Sequence, residues 1–347
     1  MSQPISFNYI KLSGSKLSPE SFGNKEPRIN EVYEYMNREK VKIDRWDMVP
    51  VTFADGVHWL SVTTYNYARN ALNTSHTSPY EAHEGASFDV AKGAWLIIGD
   101  PIPAQPPIGA PKNERYVYIK TVLSEELGLK PFIVEEKFVF KCFKGEDISI
   151  GRVRNYRYLL AAYKRDGNSL PETELKQTFL WKNYLSNPQV IKILEDVSKH
   201  MKKKPWYIER MNEYALAQYK AVWRDVASEF IPAVEASGAI PDHNVHYVIV
   251  NSLDEAYYLV TILLAPQINA VVRELSPWIG HVQPRFIKYF KLPKYNPGNI
   301  VHRRLVEIGR LIHNEGEDAL KKVLKEIEEL VRKLWNTSNA TIGIKRS

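Results

Sequence analysis

Val245-His246-Tyr247-Val248-Ile249-Val250 is a six-residue run of β-branched and aromatic side chains, and after Asn251-Ser252 the chain continues as Leu253-Asp254-Glu255-Ala256-Tyr257-Tyr258-Leu259-Val260-Thr261-Ile262-Leu263-Leu264. The first run predicts a strand. The second predicts a helix, with Asp254 and Glu255 placed where the positive end of the helix dipole favours carboxylates. A strand feeding a helix sets the fold class: a mixed α/β (α+β) protein with short-stranded sheets, packed helices and a C-terminal helical hairpin. Working outward, Val57–Val62, Ala94–Ile98, Arg115–Ile119 and Pro131–Phe140 read as further strands. Between Leu175 and His200 apolar residues recur at helical spacing. Asn187-Pro188 interrupts them, so two helices are expected, the second starting with Pro188 in its first turn. Asn299 is placed to cap a helix reaching about His313, and the apolar spacing from Leu320 to Leu334 predicts its partner.

The segment Asp100–Pro111 holds five prolines in twelve residues, which excludes a helix interior or a central strand and marks a linker. A chain of 347 residues, 44% hydrophobic and 25% charged, has room for about two domains and is neither disordered nor collagen-like in composition. No apolar run approaches the ~18 residues of a membrane span, and Met1-Ser2-Gln3-Pro4 does not open a secretory signal. With one cysteine, Cys142, there is no intrachain disulfide and no cysteine-based zinc cluster. A soluble, cytoplasmic protein without membrane contact is expected.

The formal net charge of +7 is unevenly spread: residues 131–230 carry +5, 231–270 carry −4 and 271–310 carry +6. Such blocks point to an anionic partner. In the first block Lys141, Lys144, Arg152, Arg154 and Arg157 fall among tyrosines, a mixture suited to phosphates and stacked bases. Lys202, Lys203 and Lys204 precede Pro205-Trp206-Tyr207. The second block mixes Trp278, His281, Gln283, Arg285 and Lys288 with prolines, and His281 and Gln283 have side chains able to read base edges. The plainer readings are a charged strand edge, lysines complementing a helix end, and a surface connection pinned by buried aromatic rings.

The chain has no P-loop, dinucleotide fingerprint, His-Glu-X-X-His or Gly-X-Ser-X-Gly. No cofactor or metal is called for. Asp100 with Glu135-Glu136-Lys137 matches the acid and Glu-X-Lys pattern with which some nucleases hold magnesium, an alternative weighed against an ordinary exposed strand. His243 and His246, three apart without a third ligand at useful spacing, read as structural.

The order of segments carries a family resemblance. Lys141 to Asp147 fits Lys-X-hydrophobic-X-Gly-X-Asp. It is followed by Thr178–Leu185, Pro205-Trp206-Tyr207, Lys220–Arg224, Asp254–Leu263, Gly280-His281-Val282-Gln283-Pro284-Arg285 and Leu292-Pro293-Lys294-Tyr295. Over residues 131–315 the chain resembles the C-terminal target-recognition half of adenine-specific DNA methyltransferases from restriction–modification systems. In that family this half clamps the duplex and reads its sequence, while a catalytic half binds S-adenosylmethionine and methylates a flipped adenine. The catalytic Asn/Asp-Pro-Pro-aromatic tetrad is missing here, since Asp100-Pro101-Ile102-Pro103 and Asn296-Pro297-Gly298 lack it, and so is a glycine-rich loop for S-adenosylmethionine. The resemblance therefore implies a DNA-binding specificity protein without its own methyltransferase centre, whose partners are double-stranded DNA and a separate methyltransferase or nuclease subunit. Residues 131–298 would be the recognition domain, 1–130 a mixed N-terminal region and 299–347 the C-terminal helices. The two basic blocks would supply the contacts: Lys141, Lys144, Arg152, Arg154, Arg157 and Lys202 to Lys204 to the backbone, Trp278, His281, Gln283, Arg285 and Lys288 to bases or adjacent phosphates. Other classes left open are a magnesium-dependent nuclease, a diverged methyltransferase and a protein-interaction module.

Overall fold

In the computed structural model residues 5–7, 46–75, 77–89, 91–199, 202–227, 229–276 and 281–340 are described. In chain order the first strands are β1 Ile5–Phe7, β2 Trp46–Phe53, β3 Gly56–Ser61, β4 Ala82–Glu84, β5 Leu96–Ile97, β6 Ile102–Ala104, β7 Tyr116–Ile119 and β8 Phe132–Glu135. They continue as β9 Val139–Phe143, β10 Ile148–Ser149, β11 Gly151–Val153, β12 Arg157–Leu160, β13 Lys220–Arg224, β14 Pro232–Glu235, β15 Ile240–Pro241 and β16 Val245–Ile249. The α-helices are α1 Val62–Ala68, α2 Val122–Glu126, α3 Glu172–Leu175, α4 Pro188–Lys199, α5 Leu253–Leu263, α6 Pro266–Leu275, α7 Ile300–Glu315 and α8 Glu317–Ala340.

The strand–helix unit is β16 and α5. Ser252 caps α5 by accepting the Glu255 N–H at 3.1 Å. β16 lies inside a six-stranded sheet of order β10-β11-β14-β13-β16-β4. Because side chains alternate along a strand, Trp223, Val234 and Val248 face one core, built with α5 to α8, while Val222, Ala233, Val245 and Tyr247 face another. A sheet covered on both faces needs apolar residues at nearly every position, which is why 245–250 reads as a continuous run. A second large core surrounds Trp95, Phe138, Tyr184 and Trp206 beside the four-stranded sheet β15-β9-β12-β5. The hairpin helices α7 and α8 meet at Gly316, whose φ of +75° suits glycine.

Three expectations meet a different local structure. The proline-rich segment contains β6, an edge strand paired with β7, a place where Pro103 is tolerated because edge positions need no ladder donor. Residue 130 lies between the paired strands β7 and β8, and β4 and β5 pair with β16 and β12, so sheets join the stretches on both sides of the expected boundary. Before Asn187 there is no regular α-helix: α3 is one turn and Trp181–Leu185 winds as a π-turn. Gly85, just after β4, passes so close to β15 and the turn after it that a Cβ would lie 2.1 Å from the Asp242 carbonyl. Its N–H donates to Val245 O at 2.9 Å, and that of Ala86 to Pro241 O at 2.8 Å. Among the described residues no single helix is long and apolar enough to cross a membrane.

Candidate nucleic-acid interface

At the end of β13 the chain holds the segment 281–285 by main-chain and indole contacts. The Val282 N–H donates to Asp225 O at 2.7 Å, and Trp223 Nε1–H donates to Val282 O at 2.8 Å. Val282 is buried, so its extended neighbours His281 and Gln283 turn the other way. With Arg285 they line a cleft of about 350 Å³, whose other walls include Glu84 of β4, Asp225 and His246 of β16. Buried Phe286, Ile287 and Tyr289 anchor the following 3₁₀ turn, Pro284–Tyr289. The Asp225 carboxylate touches two imidazoles, His246 Nε2 at 3.1 Å and His281 Nδ1 at 3.1 Å. Burial holds the His246 pKa below the ordinary histidine value, against the opposing pull of Asp225. Arg285 reaches Asp55 at 3.3 Å, and Glu84 reaches Arg210 at 2.7 Å. Asp55 belongs to the β2–β3 turn and also accepts from Tyr289 Oη at 2.5 Å.

The remaining sequence-selected residues lie elsewhere. Lys141 is exposed, 5.7 Å from the Tyr156 ring centre, in a cleft of about 670 Å³ that also takes Tyr158 and Arg165. Lys144 pairs with Asp89 at 3.4 Å, and Arg157 pairs with Glu146 and Asp147. Arg152 donates to the Asn314 carbonyl at 3.0 Å and Arg154 to Ser149 Oγ at 2.9 Å. Lys202, Lys203 and Lys204 are exposed after α4, the last two over Tyr207 and Trp206. Lys288 is exposed near Tyr289, and Trp278 lies outside the described residues. The structure thus brings His281, Gln283 and Arg285 together. It divides the first basic block between two sheets, with Lys141 and Arg157 on β9 and β12 of the four-stranded sheet and Arg152 on β11 of the six-stranded one, two strands from β13.

Asp100, Glu135 and Lys137 do not form a metal site. Register sets Ile102 against Tyr118 and Ile133, and Ala104 against Tyr116 and Glu135, so Asp100 and Glu135 project from opposite ends of the sheet, about 15 Å apart. Glu135 is also occupied, accepting from the N–H groups of Phe179 at 2.7 Å and Leu180 at 3.1 Å, while Lys137 pairs with Glu114. Among the described residues, Asp89, Asp242 and His243 bring potential ligand atoms within 4.8 Å of one another. His243 Nδ1 sits between the two carboxylates and Lys144 pairs with Asp89, so this group is already engaged with a cation of its own. His243 and His246, read together from the sequence, belong to different clusters. Asp225, Glu84 and His246 were missed as parts of one cleft; the available signal was a lone polar side chain, His246, inside an apolar strand.

No family model and no curated protein matches the chain. Solved restriction enzymes do. The chain is similar to the type IIG restriction endonuclease BpuSI, with 12% identity and a TM-score of 0.37 over 78% of this chain and 32% of that one. It is also similar to the type IIL restriction-modification enzyme MmeI, solved in complex with DNA, with 9% identity and a TM-score of 0.40 over 88% of this chain and 40% of that one. The chain therefore spans about a third to two fifths of the length of these enzymes.

Proposed function

We propose that the protein is a DNA target-recognition (specificity) component of a restriction–modification or related DNA-modification system, acting with a separate methyltransferase or nuclease subunit. The observation that carries this reading is the cleft at 281–285. Its backbone is fixed to β13, and two side chains able to hydrogen-bond base edges, His281 and Gln283, stand on one face beside the cation Arg285. Exposed Lys288, in the turn that follows, supplies charge for phosphates beside it, while exposed Lys141 and Lys202 to Lys204, outside this cleft, are read as further phosphate contacts. The order of family-like segments from Lys141 to Tyr295 supports the same division of labour, recognition here and chemistry elsewhere.

The test is titration of a fluorescent random duplex pool at several salt concentrations, followed by sequencing of the bound fraction. Affinity is expected to fall steeply with salt, because each phosphate neutralised releases about 0.9 counterion, and the bound fraction is expected to be enriched in one sequence. No binding at low salt would reject the proposal.

A further inference from the structure

Three side chains lead outward in file from the six-stranded sheet to the cleft: His246, 6% exposed, Asp225, 21% exposed, and His281, 37% exposed. An ionised carboxylate can only accept hydrogen bonds, so the imidazole nitrogen facing each of its oxygens carries a hydrogen. His246 is thereby held as the Nε2–H tautomer, and its Nδ1 is buried without a partner. His281 is held as the Nδ1–H tautomer, which leaves Nε2 of the neutral ring as a bare lone pair. The backbone keeps this arrangement, since Val282 N–H donates to Asp225 O and Ser276 Oγ donates to His281 O at 3.1 Å. The other polar groups of the cleft are less committed to a ligand. Glu84 is engaged by Arg210 and Arg285 by Asp55, and Gln283 can either donate or accept. His281 is the lining group whose hydrogen-bond role is fixed by what stands behind it.

We propose that Asp225 is a positioning residue that presents His281 Nε2 as an acceptor, so that the cleft selects a base edge bearing an amino group, N6 of adenine or N4 of cytosine in the major groove, over the keto edges of guanine and thymine. This rests on the DNA-recognition reading above and names the chemistry that it reads. Asn in place of Asp225 can donate its amide N–H to Nδ1, which turns Nε2 into a donor and removes or reverses the preference.

The full chain, Asp225→Asn and His281→Ala are each equilibrated with a random duplex pool, the bound DNA is sequenced, and imidazole ¹⁵N shifts report the tautomer. In the unaltered chain His281 is expected as the Nδ1–H form, with adenine or cytosine favoured about tenfold at one position of the bound sequence. Both variants are expected to lose that preference at that position. Should Asp225→Asn fail to fold, His281→Ala, at a partly exposed position, decides the matter. Binding with the same base preference in His281→Ala, or a His281 found as the Nε2–H form, overturns this inference and leaves the DNA-recognition reading standing. No duplex binding by the unaltered chain at low salt overturns both.

Discussion

Glu135 carries two opposite readings in one side chain. Beside Lys137 in a strand it has the pattern of a magnesium ligand, yet it is 4% exposed and its oxygens accept from the main chain of Phe179 and Leu180. Glu135→Ala strands these two donors and is expected to cost about 2–4 kcal/mol in urea unfolding, whereas Glu135→Gln, keeping one acceptor, costs about half as much. Asp55 behaves differently because it titrates. Burial pushes its carboxyl up, but hydrogen bonds from Tyr289 and His58 outweigh that and hold it below the ordinary 3.8. A depressed carboxyl stabilises the fold above its unfolded value and loses that contribution as pH falls through the folded one. Asp55→Asn is therefore expected to lower stability by about 1 kcal/mol near pH 7 and by progressively less below about pH 4, in unfolding curves taken across that range. His281, Gln283 and Arg285 were legible as polar side chains in a proline-broken stretch. Their neighbours Asp225, His246 and Glu84 were not, because local pattern carries no information about which strands lie side by side.

The elements with a capping side chain at their start are those that the chain announces most clearly. Ser252 starts α5, and Asn299 starts α7 by accepting from the N–H groups of Val301 at 2.8 Å and His302 at 3.3 Å. The expected helix before Asn187 fails for a reason that lies outside it. Glu135, more than forty residues upstream, takes the N–H groups of Phe179 and Leu180, and Thr178 Oγ1 takes that of Trp181 at 3.1 Å, so tertiary capping reshapes the turn. Packing also decides the fate of Gly309. Where α7 crosses α5, a Cβ would lie 2.6 Å from both the Tyr257 carbonyl and Thr261 Oγ1. Alanine gains about 1 kcal/mol of helix propensity, but forcing a methyl into that contact costs about 1–3 kcal/mol or more. Gly309→Ala is expected to lower the melting temperature despite the better helix former.

The mixed α/β class was visible in composition and periodicity, but the way the chain closes on itself was not. Proline density suggested a division near 100–111, whereas β4, β5 and β7 all pair with strands from beyond residue 130. Residues 131–340 produced alone would lose these three partners and expose sheet edges. Such a fragment is expected to aggregate or to unfold without a cooperative transition, as followed by tryptophan fluorescence in urea. Charge blocks counted along the chain likewise do not say which cations meet, since strand order puts Lys141 on β9 of one sheet and the bridge from His281 to Val226 just after β13 of another.

The passage of Gly85 beneath the Asp242 carbonyl constrains how the protein is made. His83 finds its partner in Tyr247, 164 positions further along. At a synthesis rate of about 5–20 residues per second, the early strand leaves the ribosome roughly 10–30 s before its neighbour exists. During that interval its edge is open to wrong partners, and folding from the nascent state is expected to depend on chaperone cover more than refolding of the complete chain does.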